Sequence, residues 1–187
     1  MRISARSFCH AFIVWLAVAN PAAALQSACS DDPRWQAPHD DGQVFYLQKS
    51  SNPNTVVYAM QFDDEGKLKR QKPMTAYWRR FAEHGQRMEL RFLERILAFD
   101  IQYSVIDAAE PAYRANLVAY PAMKATVEKV DGGAYRAILP IGGQPALLDC
   151  IYIELRETDF IPKILHVDLV GRAVNGSEPV RQRLLPP

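Results

Sequence analysis

Hydrophobic and polar positions alternate in short runs along most of the chain. Segments 43–48 and 55–62 are rich in Val, Tyr and Phe and flank the turn formers Ser50-Ser51-Asn52-Pro53-Asn54, a pattern that predicts a hairpin. Asp63-Asp64-Glu65-Gly66 supplies a further turn, and a polar connection over 67–73 leads to a third strand over 75–81. Residues 88–98 change period. Leu90, Leu93 and Leu97, with Phe92, Ile96 and Phe99, recur at three- and four-residue spacing between Glu89, Arg91, Glu94 and Arg95, which predicts an amphipathic helix of about three turns. The two-residue period returns in 101–107, 113–119, 123–130, 134–139, 146–155 and 163–170, with Pro- or Gly-containing separators between them. Alternation is clearest where Leu165, Val167 and Leu169 oppose Ile164, His166 and Asp168, as in a strand buried on one face. Residues 146–155 are apolar on both faces and belong at the centre of a sheet. The expected fold is mainly β: a single antiparallel β-sandwich or barrel of about 8–9 strands with one amphipathic helix at about 88–98.

The amino terminus has a different character. Arg2 and Arg6 precede an apolar stretch over 8–19 and the small-residue run Pro21-Ala22-Ala23-Ala24, the layout of a cleavable secretory signal. Cleavage is expected before Leu25. The predicted organisation is a signal peptide over 1–24, an extended arm over 25–42, a β-rich domain over 43–174 and an extended or frayed tail over 175–187. The expected location is secreted, in a bacterial periplasm, with a lipoprotein acylated at Cys29 or a signal-anchored form as the alternatives. The mature chain is expected to have no transmembrane span, since an apolar stretch of that length falls short of the ~20 residues that cross a bilayer.

Cleavage removes Cys9 and leaves Cys29 and Cys150, a pair that an oxidising compartment would allow to join. The alternative is a small buried Cys150 and a free Cys29. With 49% apolar and 23% charged residues among 187, the composition excludes a disordered or collagen-like chain.

Charge is uneven along the chain. Nine basic residues against three acidic ones fall between Lys67 and Arg95, a net +6, while the rest of the mature chain carries −7. A strand and a helix facing one side would make this a basic surface for phosphate or carboxylate groups; local pairing of the arginines with Glu89 and Glu94 is the alternative. Candidate ligand-binding residues are Lys49, Asn52 and Asn54 at the hairpin tip and Arg79, Arg80, Arg91 and Arg95 in the basic stretch. Tyr77-Trp78 are expected as core or interface aromatics.

Catalytic templates are missing: no G-x-S-x-G, H-E-x-x-H, S-x-x-K, Walker loop or C-x-x-C occurs, and no catalytic residue is assigned. No metal site and no cofactor are expected, because the three histidines of the mature chain lie outside any ligand-spaced cluster and an EF-hand frame on Gly66 would need Gln61 and Lys72 as ligands. His166 and Asp168 share a strand face and could form an acid/base pair, but the sequence offers them no nucleophile.

Phe45-Tyr46-Leu47-Gln48-Lys49-Ser50-Ser51-Asn52-Pro53-Asn54-Thr55-Val56-Val57-Tyr58, followed by an acidic glycine turn, Pro73, Tyr77-Trp78, Leu93-Glu94-Arg95 and Ala98-Phe99, resembles an uncharacterised family, domain of unknown function 4833. The resemblance is strongest over 43–100, and Asp100 departs from the run expected after Ala98-Phe99. It implies no activity, cofactor or catalytic residue.

The function expected on these grounds is that of an exported, non-enzymatic binding module for an anionic or amphipathic envelope ligand (lipid, glycan or other cell-envelope component) or for a protein partner; nucleic acid is not expected. The alternatives are an envelope hydrolase built on His166 and Asp168, and a structural or assembly module.

Overall fold

The structure is a computed structural model that describes Cys29 and residues 36–158, 162–176 and 178–186. The predicted cleavage site before Leu25 lies outside these residues. Strands β1 (Gln43–Lys49) and β2 (Asn52–Met60) form the expected hairpin. In the next connection Asp63 Oδ1 accepts hydrogen bonds from the backbone N–H groups of Glu65 and Lys67, and Gly66 takes the left-handed conformation (φ +75°) that this turn requires. β3 (Met74–Arg80) adds to β2, and β4 (Gln86–Glu89) adds to β3 after a 3₁₀ turn at Phe81–Glu83. A short helix, α1, begins as an α-turn at Phe92–Glu94 and widens into a π-turn at Arg95–Phe99. A meander of β5 (Ile101–Asp107), β6 (Ala112–Leu117), β7 (Tyr120–Lys129) and β8 (Tyr135–Ile141) follows. β9 (Gln144–Arg156), β10 (Lys163–Ala173) and β11 (Pro179–Leu184) complete the chain.

The fold is mainly β, as the pattern predicts: a sheet of nine strands in the order β4-β3-β2-β1-β9-β8-β7-β6-β5, curled into a half-barrel, with β10 and β11 extending from β9. β9 organises it. β10 pairs along nearly the whole of one edge of β9, while the other edge is shared: β8 takes Gln144–Leu148 and β1 takes Cys150–Ile153. Two four-stranded wings, β1–β4 and β5–β8, therefore leave the same edge of β9 and enclose a common core. That core contains Val56, Tyr58 and Trp78 from one wing and Tyr113, Val127 and Ala137 from the other.

Several details depart from the sequence expectations. β1 lies parallel to β9 within an otherwise antiparallel sheet. The helix begins at Phe92, four residues after the predicted start, because Met88 and Glu89 pair with Trp78 and Tyr77 as an edge strand; sheet pairing outweighs the local helical period. Within the stretch expected as an extended or frayed tail, residues 179–184 form β11 and pair with β10. The Leu165–Leu169 alternation is interrupted by a bulge between Ile164 and His166. Of the two alternatives for the cysteines, the structure has the pair: Cys29 and Cys150 form a disulfide with Cα atoms 5.7 Å apart.

Candidate functional site

Leu47 and Lys49 lie two residues apart on β1 and so share a strand face, the inner one. Leu47, together with Ile151 and Ile153 of β9 and Val167 and Leu169 of β10, lines an apolar cavity of about 300 Å³. Ile164 joins these walls because the bulge after it changes which side chains of β10 point inward. The cavity is completed by Ala98 and Phe99 of α1, by Leu117 and Met123 of the second wing, and by Leu184, Leu185 and Pro186 at the end of β11. Its mouth is marked by lining residues that are also exposed: Tyr120, Ile164 and Leu185. The carboxy-terminal end of α1 is fixed here by two backbone hydrogen bonds, from Ala119 N–H to the Ala98 carbonyl and from Val118 N–H to the Asp100 carbonyl.

Lys49 borders this cavity. Its cross-strand partner Ile153 and the aromatic ring of Phe99 both line it. The Lys49 Nζ lies 5.1 Å from the Trp78 ring and 5.4 Å from the Phe99 ring, and those two rings meet edge to face at 5.2 Å, an arrangement that favours a cation over the ring faces. Among the described residues no carboxylate comes within ion-pair distance of Lys49. Burial pushes its pKa below the usual lysine value; Glu94 opposes that shift and the Arg80 guanidinium adds to it. Glu94 is occupied elsewhere, accepting from Trp78 Nε1 at 3.1 Å and from Arg91 N–H at 2.8 Å. Arg80 sits over the same Trp78 ring at 5.9 Å.

Of the seven candidate ligand-binding residues, Lys49 and Arg80 are brought together around Trp78, and the others serve the fold or stand apart. Asn52 Oδ1 accepts from Asn54 N–H within the hairpin, and Asn54 Oδ1 accepts from Ala82 N–H. Arg79 points to the opposite face from Arg80, where its Nε and Nη2 donate to the Asp40 carboxylate and its Nη1 donates to the Gly85 carbonyl at 3.0 Å; Asp40 also accepts from Tyr77 Oη at 2.9 Å. Burial raises the Asp40 pKa, but the hydrogen bonds from Arg79 and Tyr77 and the charges of Arg79 and Arg87 outweigh it and hold the carboxyl below the usual carboxylate value. Arg95 is held by Glu89 at 2.7 Å and by the Leu90 carbonyl at 3.2 Å. Arg91 is exposed at the start of α1. Local pairing accounts for part of the basic stretch: Arg87 and Arg95 pair with Glu89 and Arg80 with Glu83, whereas Arg79 and Lys67 pair outside the stretch with Asp40 and Glu65, and Glu94 accepts from Trp78 Nε1 and the Arg91 backbone N–H.

His166 and Asp168 do share a face, with Nε2 and Oδ2 3.7 Å apart, but it is the face opposite the cavity-lining Val167 and Leu169. Both oxygens of the buried Asp168 carboxylate accept from Arg183 at 2.8 Å. Arg183 and, further off, Arg181 and His166 hold its pKa below the usual carboxylate value against the effect of burial. A carboxylate neutralised by two guanidinium groups is a poor orienting partner for a catalytic imidazole. Among the described residues no cluster of three His, Cys, Asp or Glu side chains could hold a metal ion, and no helix is long and apolar enough to cross a membrane.

The cavity itself had no local signature. Its lining comes from seven separate elements, and only the 165–169 alternation hinted at one wall.

The sequence model of the family described as Domain of unknown function (DUF4833) matches residues 45–183. The chain belongs to the DUF4833 family. The match extends well past the 43–100 segment in which the resemblance is strongest, and it takes the DUF4833 domain from β1 into β11. Lys49, Trp78, Phe99 and most of the cavity walls lie inside the domain; Cys29 precedes it and Leu184, Leu185 and Pro186 follow it. No curated protein and no solved structure matches this DUF4833 chain.

Proposed function

We propose that this DUF4833 protein is an exported, non-enzymatic binding module whose inner cavity takes the apolar chain of an anionic amphiphile, with the charged end at Lys49. The observation that carries the reading is the juxtaposition of a cavity walled almost wholly by aliphatic and aromatic side chains with a half-buried ammonium that has no carboxylate partner among the described residues. An apolar site with a few convergent polar groups is the usual form of a small-ligand pocket, and about 300 Å³ lies at the lower end of the ~300–1,000 Å³ range. That size favours one chain over two. Arg80, 5.9 Å from the same Trp78 ring and paired with Glu83 at 3.5 Å, adds some positive potential at the same end. Export agrees with the secretory layout of residues 1–24 and with a disulfide, a bond that persists in oxidising compartments.

Dansyl-undecanoate titrated into the protein recovered from the periplasm of an expressing bacterium tests this. A saturable rise in dansyl emission is expected, reversed by oleate or by lysophosphatidylglycerol; which competitor is stronger separates a carboxylate from a phosphate headgroup. Absence of saturable binding, together with a native mass spectrum free of bound lipid, would refute the reading.

A further inference from the structure

We infer that the outward face of α1, together with the cavity mouth beside it, pairs with the same face of a second copy of the chain. The helix is built inside out. Phe92 is 73% exposed, Leu93 62%, Ile96 50% and Leu97 67%, and because Phe92 and Ile96, like Leu93 and Leu97, are four residues apart, the four form one stripe. The charged residues of α1 turn the other way: Glu94 accepts from Trp78 Nε1 at 3.1 Å, and Arg95 donates to Glu89 at 2.7 Å and to the Leu90 carbonyl at 3.2 Å. A helix that merely covered the sheet would bury its apolar stripe and show its charges to water. Here none of its residues is buried, and a helix of two turns has little stability of its own. The stripe therefore calls for cover that is always present.

The size and the charge of this face select the occupant. Ala119 N–H donates to the Ala98 carbonyl at 3.2 Å, which sets Tyr120 beside the end of α1, and Tyr120, Ile164 and Leu185 at the mouth are between 42% and 75% exposed. At ~200 Å² for a large residue, stripe and mouth together leave on the order of 800 Å² in water, more than the ~300–600 Å² of the largest apolar patch on a monomer and matching the ~800 Å² that each partner brings to a stable interface. Cover that accompanies every copy is supplied in equal amount by the chain itself. The commonest closed assembly is a two-fold dimer in which one patch meets itself, and such a patch must not bring like charges together. The α1 stripe meets that condition, because Glu94 and Arg95 are turned off it and engaged elsewhere. Two α1 helices would lie face to face across the axis, Leu93 and Leu97 of each against those of the other, and each copy would screen the other's cavity mouth from water.

Sedimentation velocity of the intact, disulfide-bonded protein tests the inference. Interfaces of this size hold at micromolar concentrations or below, so at about 100 μM the protein should sediment with twice its chain mass. Leu93→Glu and Leu97→Lys each set like charges against one another across the axis, and each alone should weaken pairing by about 100-fold or more. An equimolar mixture of the two variants, in which opposite charges meet, should sediment as a dimer again; that recovery also shows that both variants fold. A wild-type monomer at that concentration, pairing that survives both substitutions, or a mixture that stays monomeric would overturn the inference. A wild-type monomer that floats with phosphatidylcholine vesicles would do so as well, by assigning the face to a bilayer. The pairing does not depend on the cavity reading: a dimer that fails to bind dansyl-undecanoate supports the pairing and refutes the cavity reading, and a monomer that binds it does the reverse.

Discussion

Removing an ammonium group from water without a carboxylate beside it lowers stability, and Lys49 stands in that position. Replacing it by Met keeps the unbranched stem against Trp78 and Phe99 and deletes the charge. Lys49→Met should melt at or above the wild-type temperature by calorimetry, and should bind dansyl-undecanoate about 10- to 100-fold more weakly, the worth of a ~1.5–3 kcal/mol bond to a charged group. The pH dependence has a definite sign. Because the folded pKa of Lys49 is lowered by burial, the unfolded chain holds more protons between that lowered value and the ordinary lysine value near ~10.4. The unliganded protein therefore gains stability as pH rises through this window, while its affinity for an anion falls; both trends should be absent in Lys49→Met. The sequence marked Lys49 by its place in a polar hairpin tip. It could not show that Trp78 and Phe99, far along the chain, would close around it, nor that Arg79 would be engaged by Asp40 in a stretch expected to be an extended arm.

Among the elements, β9 and β10 carry the tightest constraint. At Gly171 an added Cβ would lie 2.1 Å from the Leu147 carbonyl oxygen and 3.1 Å from Ile141 Cδ1, at the register shift between Val170 and Gly171. Backbone cannot yield as a flexible side chain can. Gly171→Ala should therefore cost about 3 kcal/mol, the upper end of overpacking penalties, read as a fall in the urea midpoint. The disulfide acts on the same sheet from outside the core: Cys29 and Cys150 are both buried, 121 residues apart, beside Tyr46 and Val170. A loop of that length restricts the unfolded chain, so reduction should lower stability by ~2–5 kcal/mol, measured as urea unfolding with and without a phosphine reductant. Most strand positions were legible because those strands carry their own two-residue period and turn chemistry, as at Asn52–Met60 and the turn at Asp63–Gly66, whereas β4 and β11 fell in segments read as helix and tail. The start of α1 was not legible, since Met88 and Glu89 fit a helical period equally well and are settled only by Trp78 and Tyr77 on a neighbouring strand.

At the scale of the whole molecule, the arrangement depends on β1 meeting β9 in parallel, Tyr46 beside Cys150 and Lys49 beside Ile153. A pairing between segments about a hundred residues apart leaves no mark on local periodicity, so most strands could be read from the sequence, β4 and β11 excepted, while strand order, and the cavity that this order creates, could not. The cavity exists because β8 and β1 share one edge of β9 and their wings diverge from it before closing on the common core. A well-packed interior has no such space to spare, which makes Val167 a direct probe. Its side chain lines the cavity, with an inward-pointing Leu169 two residues on. If the space is a ligand site, Val167→Phe should occupy it from within: dansyl-undecanoate binding should fall by about tenfold or more, while the thermal midpoint holds or rises, because the added ring gains contacts where the unliganded protein had none. If the walls instead close on one another in solution, the same ring would be forced into packed structure and cost ~1–3 kcal/mol. Calorimetry and probe titration of this one variant thus respond in opposite senses when the site is real, and a destabilised variant that still bound the probe would place the ligand elsewhere.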